Sequence, residues 1–429
     1  MLKKVKNIIR KVDRFLYEKF GSDKSLKFLE NIKEAQIIFS SLNDVGKEHA
    51  VRFVGGCVRK ALCGHIIDDI DLATSLEPEE VKRRLKKKDI KVIDTGISHG
   101  TVTVIINDKK FEITTLRKDI STDGRHAKVE YTSDWTDDAA RRDFTINAIY
   151  ADIDGRIFDP TNGLSDLKNG KIKFIGSPNE RIEEDYIRIL RYFRFFLQYS
   201  KVDHDPVVIK YIKQHINGLN KISNERIFDE VLKIFKVKNI FGLFENIESK
   251  EILINIFPQF KFYERLKNFS NLNEKLIRYY DHQLILALLL VDQTDNYEFF
   301  CYKYKTSNII KDRFKNISRH FESLHNKIFY SEQNIKKLIY FNNKNSVIDI
   351  LLFSKCLNIK IKEINIESLL DYAKLCKIPK FPISGSDLKQ YGYESGLKLG
   401  QKLKLLEEKW VQNDFIIDKN LEKFLKKTN

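Results

Sequence analysis

Two patterns of hydrophobic and polar positions divide the chain. Residues 3–18 place apolar side chains at helical spacing, and a second helix is predicted over 24–40. From Val51 onward, short β-branched runs alternate with brief helical patterns such as Glu79 to Lys88. After the turn signal at 176–178 the strand patterns stop, and residues 180–429 have mainly helical patterns. The fold class predicted is therefore α+β, with a small mixed sheet followed by an all-α remainder.

The predicted strands cluster in one stretch of the chain. They are Val51 to Val54, Ile67 to Thr74, Lys91 to Asp94, Gly100 to Asn107 and Phe111 to Leu116. The patterns divide the chain into a helical extension at 1–45, a sheet-containing domain at 46–177 and a helical remainder from 178 onward. A length of 429 residues fits two to four domains.

Charge and composition narrow the class of protein. Lys and Arg number 76 and Asp and Glu 60, which gives a net charge of +16 and favours a polyanionic partner. Five scattered cysteines without a CxxC pair indicate neither a disulfide scaffold nor a structural zinc site. No apolar run approaches the roughly 20 residues of a membrane span. The basic N-terminus carries Asp13 and Glu18 and has no small-residue cleavage site, so we expect a cytoplasmic protein without a membrane partner, with a transit peptide as the less favoured alternative.

The first candidate for chemistry is the turn Gly55-Gly56-Cys57-Val58-Arg59, which follows a predicted strand and begins a helix. Two glycines let backbone amides face a ligand, and the helix start adds partial positive charge. The turn could thus hold a phosphate with help from Arg59. A purely structural strand-to-helix turn has the same pattern.

Acidic residues on two predicted strands form the second candidate. Side chains alternate along a strand, so Asp69 and Asp71 are expected on one face. Adjacent carboxylates repel each other unless a cation lies between them, and Mg²⁺ accepts such ligands. Glu112, on the polar face of a later strand, could be a third carboxylate. A solvated acidic turn and a solvated glutamate are the alternatives.

Two further segments combine acids, amides and arginines. In Arg141-Arg142-Asp143-Phe144-Thr145-Ile146-Asn147-Ala148, a helix would make Asp143 and Asn147 neighbours suited to a ribose and a phosphate. In Glu184-Asp185-Tyr186-Ile187-Arg188-Ile189-Leu190-Arg191, one helical face would present an acid and arginines able to read the edge of a base. Ordinary ion pairs on a helix surface are the alternative for both.

Taken together and in this order, the motifs resemble the class II tRNA nucleotidyltransferase and bacterial poly(A) polymerase family of the DNA polymerase beta superfamily. The likeness runs from about Phe53 to Leu197. It implies a catalytic head at 46–177, a neck with the nucleotide template at 178–270, and a tRNA-binding body and tail at 271–429. Lys60 departs from the family, which usually has Asp or Asn at that position.

The resemblance also implies roles for individual residues. Asp69, Asp71 and Glu112 would be catalytic, and Asp69 and Asp71 would hold Mg²⁺. Gly55, Gly56 and Arg59 would contact the triphosphate, and Arg142, Asp143 and Asn147 the sugar and phosphate. Asp185 and Arg188, with Arg191 beside them, would select CTP and ATP.

Within the family the first choice is CCA addition to tRNA with CTP and ATP. A long loop from Lys118 to Asp138, containing Asp123-Gly124-Arg125, follows the strand with Glu112. In the family such a loop is needed for the change from CTP to ATP. A poly(A) polymerase or an enzyme adding only the terminal A is the alternative, and a catalytically silent RNA-binding protein is a more distant one. The oligomeric state stays open.

Overall fold

The computed structural model describes residues 26, 29, 31–44, 49–96, 100–122, 127–237, 239–357, 364–419 and 421. The predicted helix at 3–18, part of the one at 24–40, and Asp123-Gly124-Arg125 lie outside these residues. The chain divides into two units, Met1–Glu230 and Val231–Asn429. Across the described part of the chain, no helix is both long and apolar enough to cross a membrane.

The first unit contains a seven-stranded sheet in the order β3-β4-β5-β2-β1-β8-β9 and a separate hairpin of β6 and β7. The strands are β1 Val51–Val54, β2 Ile70–Thr74, β3 Lys91–Gly96, β4 Thr101–Ile106, β5 Lys109–Thr115, β6 Arg117–Thr122, β7 Ala127–Tyr131, β8 Tyr150–Ala151 and β9 Ile157–Phe158. The pair of β2 and β5 is parallel, and the other pairs are antiparallel. The α+β class is confirmed.

Helices of the first unit pack on this sheet or follow it. They are α1 Lys33–Leu42, α2 Gly56–Leu62, α3 Pro78–Lys86, α4 Trp135–Ala140, α5 Gly163–Asn169, α6 Pro178–Glu184, α7 Arg188–Tyr199, α8 Pro206–His215 and α9 Asn224–Phe235, whose residues from Val231 onward belong to the second unit. Short 3₁₀ turns span Thr145–Asn147 and Ile216–Lys221. A cluster of fully buried residues joins β1, β2 and β8 to α4. This core fixes the strand ends that carry the candidate site.

The regular secondary structure of the second unit is entirely helical among its described residues, as predicted. Its helices are α10 Gly242–Glu245, α11 Ile247–Ile256, α12 Glu264–Ser270, α13 Glu274–Ile277, α14 His282–Leu290, α15 Asn296–Lys303, α16 Asn308–His320, α17 Glu332–Phe341, α18 Lys344–Lys355, α19 Ile366–Leu375, α20 Gly385–Gln390 and α21 Leu397–Gln412, with 3₁₀ turns at Glu322–His325 and Lys327–Tyr330. The apolar helix α14 is buried along its length, consistent with a core helix.

Three predicted local structures differ from those observed. Much of the stretch from Lys118 to Asp138 is the β6–β7 hairpin and the start of α4 rather than an irregular loop. The segment from Arg141 to Ala148 is not an α-helix, since a bridge at Phe144 precedes the 3₁₀ turn. The helix predicted through Glu184 to Arg191 is interrupted between α6 and α7.

Candidate active site

The glycine turn joins β1 to α2 as predicted. Gly55 caps α2 at a φ of 67°, a left-handed conformation that favours glycine. Its amide donates to the carbonyl oxygen of Ile149 at 3.3 Å. An added Cβ at Gly55 would lie 3.6 Å from Nη1 of Arg142. The structure therefore brings the turn and Arg142 together, although 87 residues of sequence separate them.

Two carboxylates pair across neighbouring strands, and a third lies near enough to act on them electrostatically. Asp71 stands opposite Glu112 in the parallel register of β2 and β5, so both side chains leave the same face of the sheet. Burial raises the pKa of Asp71, and the negative charges of Glu112 and Asp69 raise it further. Asp69 is exposed and lies one residue before β2. The prediction that Asp69 and Asp71 lie on the same strand is therefore not met.

Two lysines form ion pairs with Glu112 and with the neighbouring Asp68. Lys110 donates to Glu112 across 2.6 Å, and Lys60, the departure from the family pattern, pairs with Asp68. As the side chains stand, the described residues contain no group of three or more His, Cys, Asp or Glu side chains placed to hold a metal ion. The carboxylates nevertheless suit a hard divalent cation. The negative charges of Glu112 and Asp69 raise the pKa of Asp71, and a bound cation would offset this repulsion. Glu112 would have to leave Lys110 to join such a site.

Arg142 is held by an acid that the sequence reasoning missed. Asp138 is buried and accepts from Nη2 of Arg142 at 3.0 Å, from Nε of Arg141 at 2.8 Å and from the Tyr150 hydroxyl at 2.7 Å. Burial alone would raise the pKa of Asp138, but the two guanidinium groups lower it to about 2. The spacing of three and four residues before the paired arginines is the signal that could have revealed it.

A second buried network connects Asp143, Asn147 and two arginines. Oδ1 of Asp143 accepts a hydrogen bond from Nδ2 of the Asn147 side chain at 2.7 Å. The two residues are therefore neighbours, as predicted, although they do not lie on a helix. Its Oδ2 accepts from Nε of Arg191 at 2.7 Å, and Arg59 donates to Oδ1 of Asn147. Although Asp143 is desolvated, Arg191 and these hydrogen bonds hold its pKa well below the ordinary value.

The Phe195 ring lies against several of these cations. The guanidinium carbons of Arg59, Arg191 and Arg194 lie 4.8, 5.4 and 4.2 Å from its centre. Arg59 also lies 5.1 Å from the Tyr199 ring and is only 5% exposed. The Arg59 guanidinium is therefore held against two aromatic rings instead of projecting into solvent.

Asp185 and Arg188 lie on either side of the interruption between α6 and α7. Asp185 is extended at a φ of −154°, and its Oδ2 accepts from Nη2 of Arg226 at 2.9 Å. Arg188 donates from Nη1 to Glu184 at 2.7 Å and to the carbonyl oxygen of Arg181 at 2.7 Å. The two predicted base-reading side chains thus have separate partners, because the chain changes direction between them.

Two of these partners, Arg181 and Arg226, were not predicted as site residues. Arg181 is buried and donates to Glu184 and to the carbonyl oxygens of Arg141 and Arg142. It therefore ties α6 to the paired arginines. Nothing in the local pattern indicates the contact of Arg181 with Arg142 or that of Arg226 with Asp185, since about 40 residues of sequence separate the partners.

Comparison with protein families gives two matches. The family model described as "Poly A polymerase head domain" matches residues 51–173, and that described as "Probable RNA and SrmB- binding site of polymerase A" matches residues 204–263. The first contains the glycine turn, the three carboxylates and the Asp143 network except Arg191. The second begins after α7 and includes Arg226.

Individual relatives match over most of the chain. CCA tRNA nucleotidyltransferase 1, mitochondrial, of Homo sapiens is 33% identical over 417 residues, covering 94% of this chain and 91% of the relative. The CCA-adding enzyme of Lactobacillus helveticus is 34% identical over 303 residues, covering 67% and 71%.

Solved structures share the fold. The Bacillus stearothermophilus CCA-adding enzyme in complex with CTP aligns with a TM-score of 0.69 at 23% identity, covering 89% of this chain and 93% of that one. The Thermotoga maritima CCA-adding enzyme complexed with tRNA aligns with a TM-score of 0.63 at 21% identity, covering 94% and 97%.

Proposed function

The chain belongs to the family of CCA-adding tRNA nucleotidyltransferases and poly(A) polymerases, and we propose that it adds CCA to the 3′ end of tRNA. CTP and ATP are the substrates and pyrophosphate is released. In each cycle the terminal tRNA hydroxyl attacks the α-phosphate of the nucleotide. The bond from the α-phosphorus to the bridging oxygen breaks, and the hydroxyl proton passes to solvent.

The observation that carries the proposal is the pairing of Asp71 with Glu112, with Asp69 beside them. We propose that Asp69 and Asp71, joined by Glu112, hold Mg²⁺, a cation that prefers carboxylate and phosphate oxygens. The bound metal would supply positive charge at the reacting phosphate and hydroxyl. Asp71 and Glu112 leave the same face of the sheet, so we propose that the phosphate is bound on that face.

The remaining residues position the nucleotide. Gly55 makes the turn that presents the backbone amide of Gly56 to the triphosphate, and Arg142, held rigid by Asp138, adds charge beside them. Asn147 faces the sugar, while Asp143 and Arg59 orient it. Such preorganised groups favour the transition state because they need no rearrangement during reaction.

Base selection is proposed for Asp185 and Arg188, supported by Arg191 from the Asp143 network. A carboxylate accepts from the exocyclic amino groups that cytosine and adenine share, and a guanidinium donates to ring nitrogens and carbonyls. The 271–429 region, with the positive charge of the chain, would bind the tRNA by shape and phosphate contacts. A cytoplasmic location remains a prediction, which cell fractionation would check.

The test is nucleotide addition by Asp71→Ala and by Lys110→Ala, with a tRNA transcript lacking its 3′ CCA. Asp71→Ala is expected to abolish addition while tRNA binding is kept, because the RNA contacts lie elsewhere. Lys110→Ala should keep addition, since it removes only the competitor for Glu112. Addition by Asp71→Ala at the unsubstituted rate would refute the carboxylate assignment.

A further inference from the structure

The 185–187 turn between α6 and α7 is packed against a glycine outside the family motifs identified above. An ideal Cβ added to Gly218, in the 3₁₀ turn Ile216–Lys221, would lie 2.1 Å from Cδ1 and Cε1 of Tyr186 and 2.5 Å from Cγ. No Cβ fits at those distances unless the ring moves. The ring of Tyr186 therefore occupies the space that any side chain at position 218 would need.

Neighbouring groups fix the ring on the glycine. Nζ of Lys221 lies 5.4 Å from the centre of the Tyr186 ring, and the ring of His215 is centred 6.3 Å away. His215 is itself fixed, because its Nε2 lies 2.7 Å from Oδ1 of Asn179 on α6. The ring thus joins α6 to the end of α8 and the 3₁₀ turn.

Movement of the ring reaches the proposed base-reading side chains through the backbone. Tyr186 directly follows Asp185, and its carbonyl oxygen accepts from the amide of Ile189 at 3.1 Å. The carbonyl oxygen of Asp185 accepts from the amide of Arg188 at 3.0 Å. A displaced Tyr186 would therefore move Asp185 and the first turn of α7 together.

We infer that Gly218 is a specificity-determining position: by admitting the Tyr186 ring it sets the 185–187 turn, and through it the alignment of Asp185 and Arg188 with the base. Both Gly218 and Tyr186 act as positioning residues, and neither contacts the nucleotide. This inference rests on the proposed function. It adds that nucleotide choice depends on a steric contact remote from the base.

The experiment measures the ratio of kcat/KM for CTP to that for ATP on tRNA lacking its 3′ CCA, using the full chain. Gly218→Ala is expected to lower this ratio about tenfold or more, because misaligned base-reading side chains lose the contacts that favour CTP over ATP at the first addition, and a displacement of about 1 Å costs the favoured substrate up to about a hundredfold in rate. The tRNA affinity should stay near that of the unsubstituted protein, and the melting temperature should fall by only a few degrees because the added Cβ displaces a packed ring. Asn217→Ala, an exposed neighbour in the same 3₁₀ turn, is the matched control and should keep the ratio.

A double-mutant cycle distinguishes this contact from a general effect of the alanine. Tyr186→Ala should also lower the ratio, and Tyr186→Phe, which keeps the ring, should not. Adding Gly218→Ala to Tyr186→Ala should change nothing further, because no ring remains to displace. An equal effect of Gly218→Ala in both backgrounds, or an unchanged ratio in Gly218→Ala, would overturn the inference.

The unsubstituted protein and the Asp185→Ala variant serve as references, so that failure of this inference can be distinguished from failure of the proposed function. If the unsubstituted protein adds no CCA, the proposed function fails. If it adds CCA and Asp185→Ala alters base choice while the Gly218 and Tyr186 variants do not, only the present inference fails. If Gly218→Ala does not fold, the comparison of Tyr186→Ala with Tyr186→Phe decides alone: equal ratios contradict the inference.

Discussion

Asp138 offers the sharpest test of how the site is held. Replacement of Asp138 by Asn keeps the shape of the side chain but leaves the guanidinium groups of Arg141 and Arg142 without their buried counter-charge. The pKa of Asp138 falls from its ordinary value of 3.8 to about 2. At about 1.4 kcal/mol per pH unit, that difference corresponds to roughly 2.5 kcal/mol of stability at pH 7.

The same values fix the dependence on pH. A carboxyl group with a lowered folded-state pKa stabilises the protein above its unfolded value of 3.8 and loses this contribution as the pH falls through about 2. About half of the contribution should remain at pH 3. The difference in unfolding free energy between the unsubstituted protein and the Asp138→Asn variant should therefore shrink between pH 5 and pH 3, where the carboxyl of Asp138 binds a proton in the unfolded chain but stays largely ionised in the folded protein.

Urea unfolding followed by tryptophan fluorescence measures this difference. Trp135 packs edge-on against Tyr150, which donates to Asp138, so its emission reports on this region. The chain has 2 tryptophans, and Trp410 lies in the second unit. Both proteins therefore carry Trp410→Phe, so that the fluorescence comes from Trp135 alone.

Asp154→Asn, which breaks a half-exposed pair with Arg156, is the control and should cost at most about 0.5 kcal/mol. A loss of under about 0.5 kcal/mol for Asp138→Asn at pH 7 would refute the reasoning. An equal loss at pH 5 and pH 3 would do so as well.

Two further predictions concern nucleotide choice and RNA binding. Arg226→Ala frees the carboxylate of Asp185 and should alter the preference for CTP over ATP in the same direction as Asp185→Ala, measured by single-nucleotide addition; an unaltered preference would show that Arg226 is not needed. Raising salt from about 50 to 200 mM should weaken tRNA binding about a thousandfold in a filter-binding assay if about six phosphates are contacted, and a flat response would contradict a role of the +16 charge in RNA binding.

The sequence predicted local features of the head more successfully than distant contacts. The β1 strand and the turn at Gly55 follow from β-branched residues and glycines within a few positions. The partnership of Asp71 and Glu112 depends on parallel pairing of strands that are not consecutive, which no local pattern specifies. The contacts of Asp138 could have been predicted from sequence spacing, because its partners Arg141 and Arg142 follow it by three and four residues.

The interruption after Glu184 shows why helical periodicity alone misplaced the base-reading residues. Apolar residues continue at helical spacing from Ile182 to Leu190, so the sequence predicts one helix. Tertiary contacts decide otherwise: Arg226 holds the Asp185 side chain, and Gly218 admits the ring of Tyr186. Both partners lie more than 30 residues away, beyond any local pattern.

The most direct measurement is an extension assay with purified protein, Mg²⁺ and a tRNA transcript lacking its 3′ CCA. CTP alone, ATP alone and both nucleotides together are compared. Addition of CCA that stops after three nucleotides, and only when both are present, is the predicted result. A long ATP-dependent tail, a single A added only to a CC-ended tRNA, or no addition at all would contradict the account.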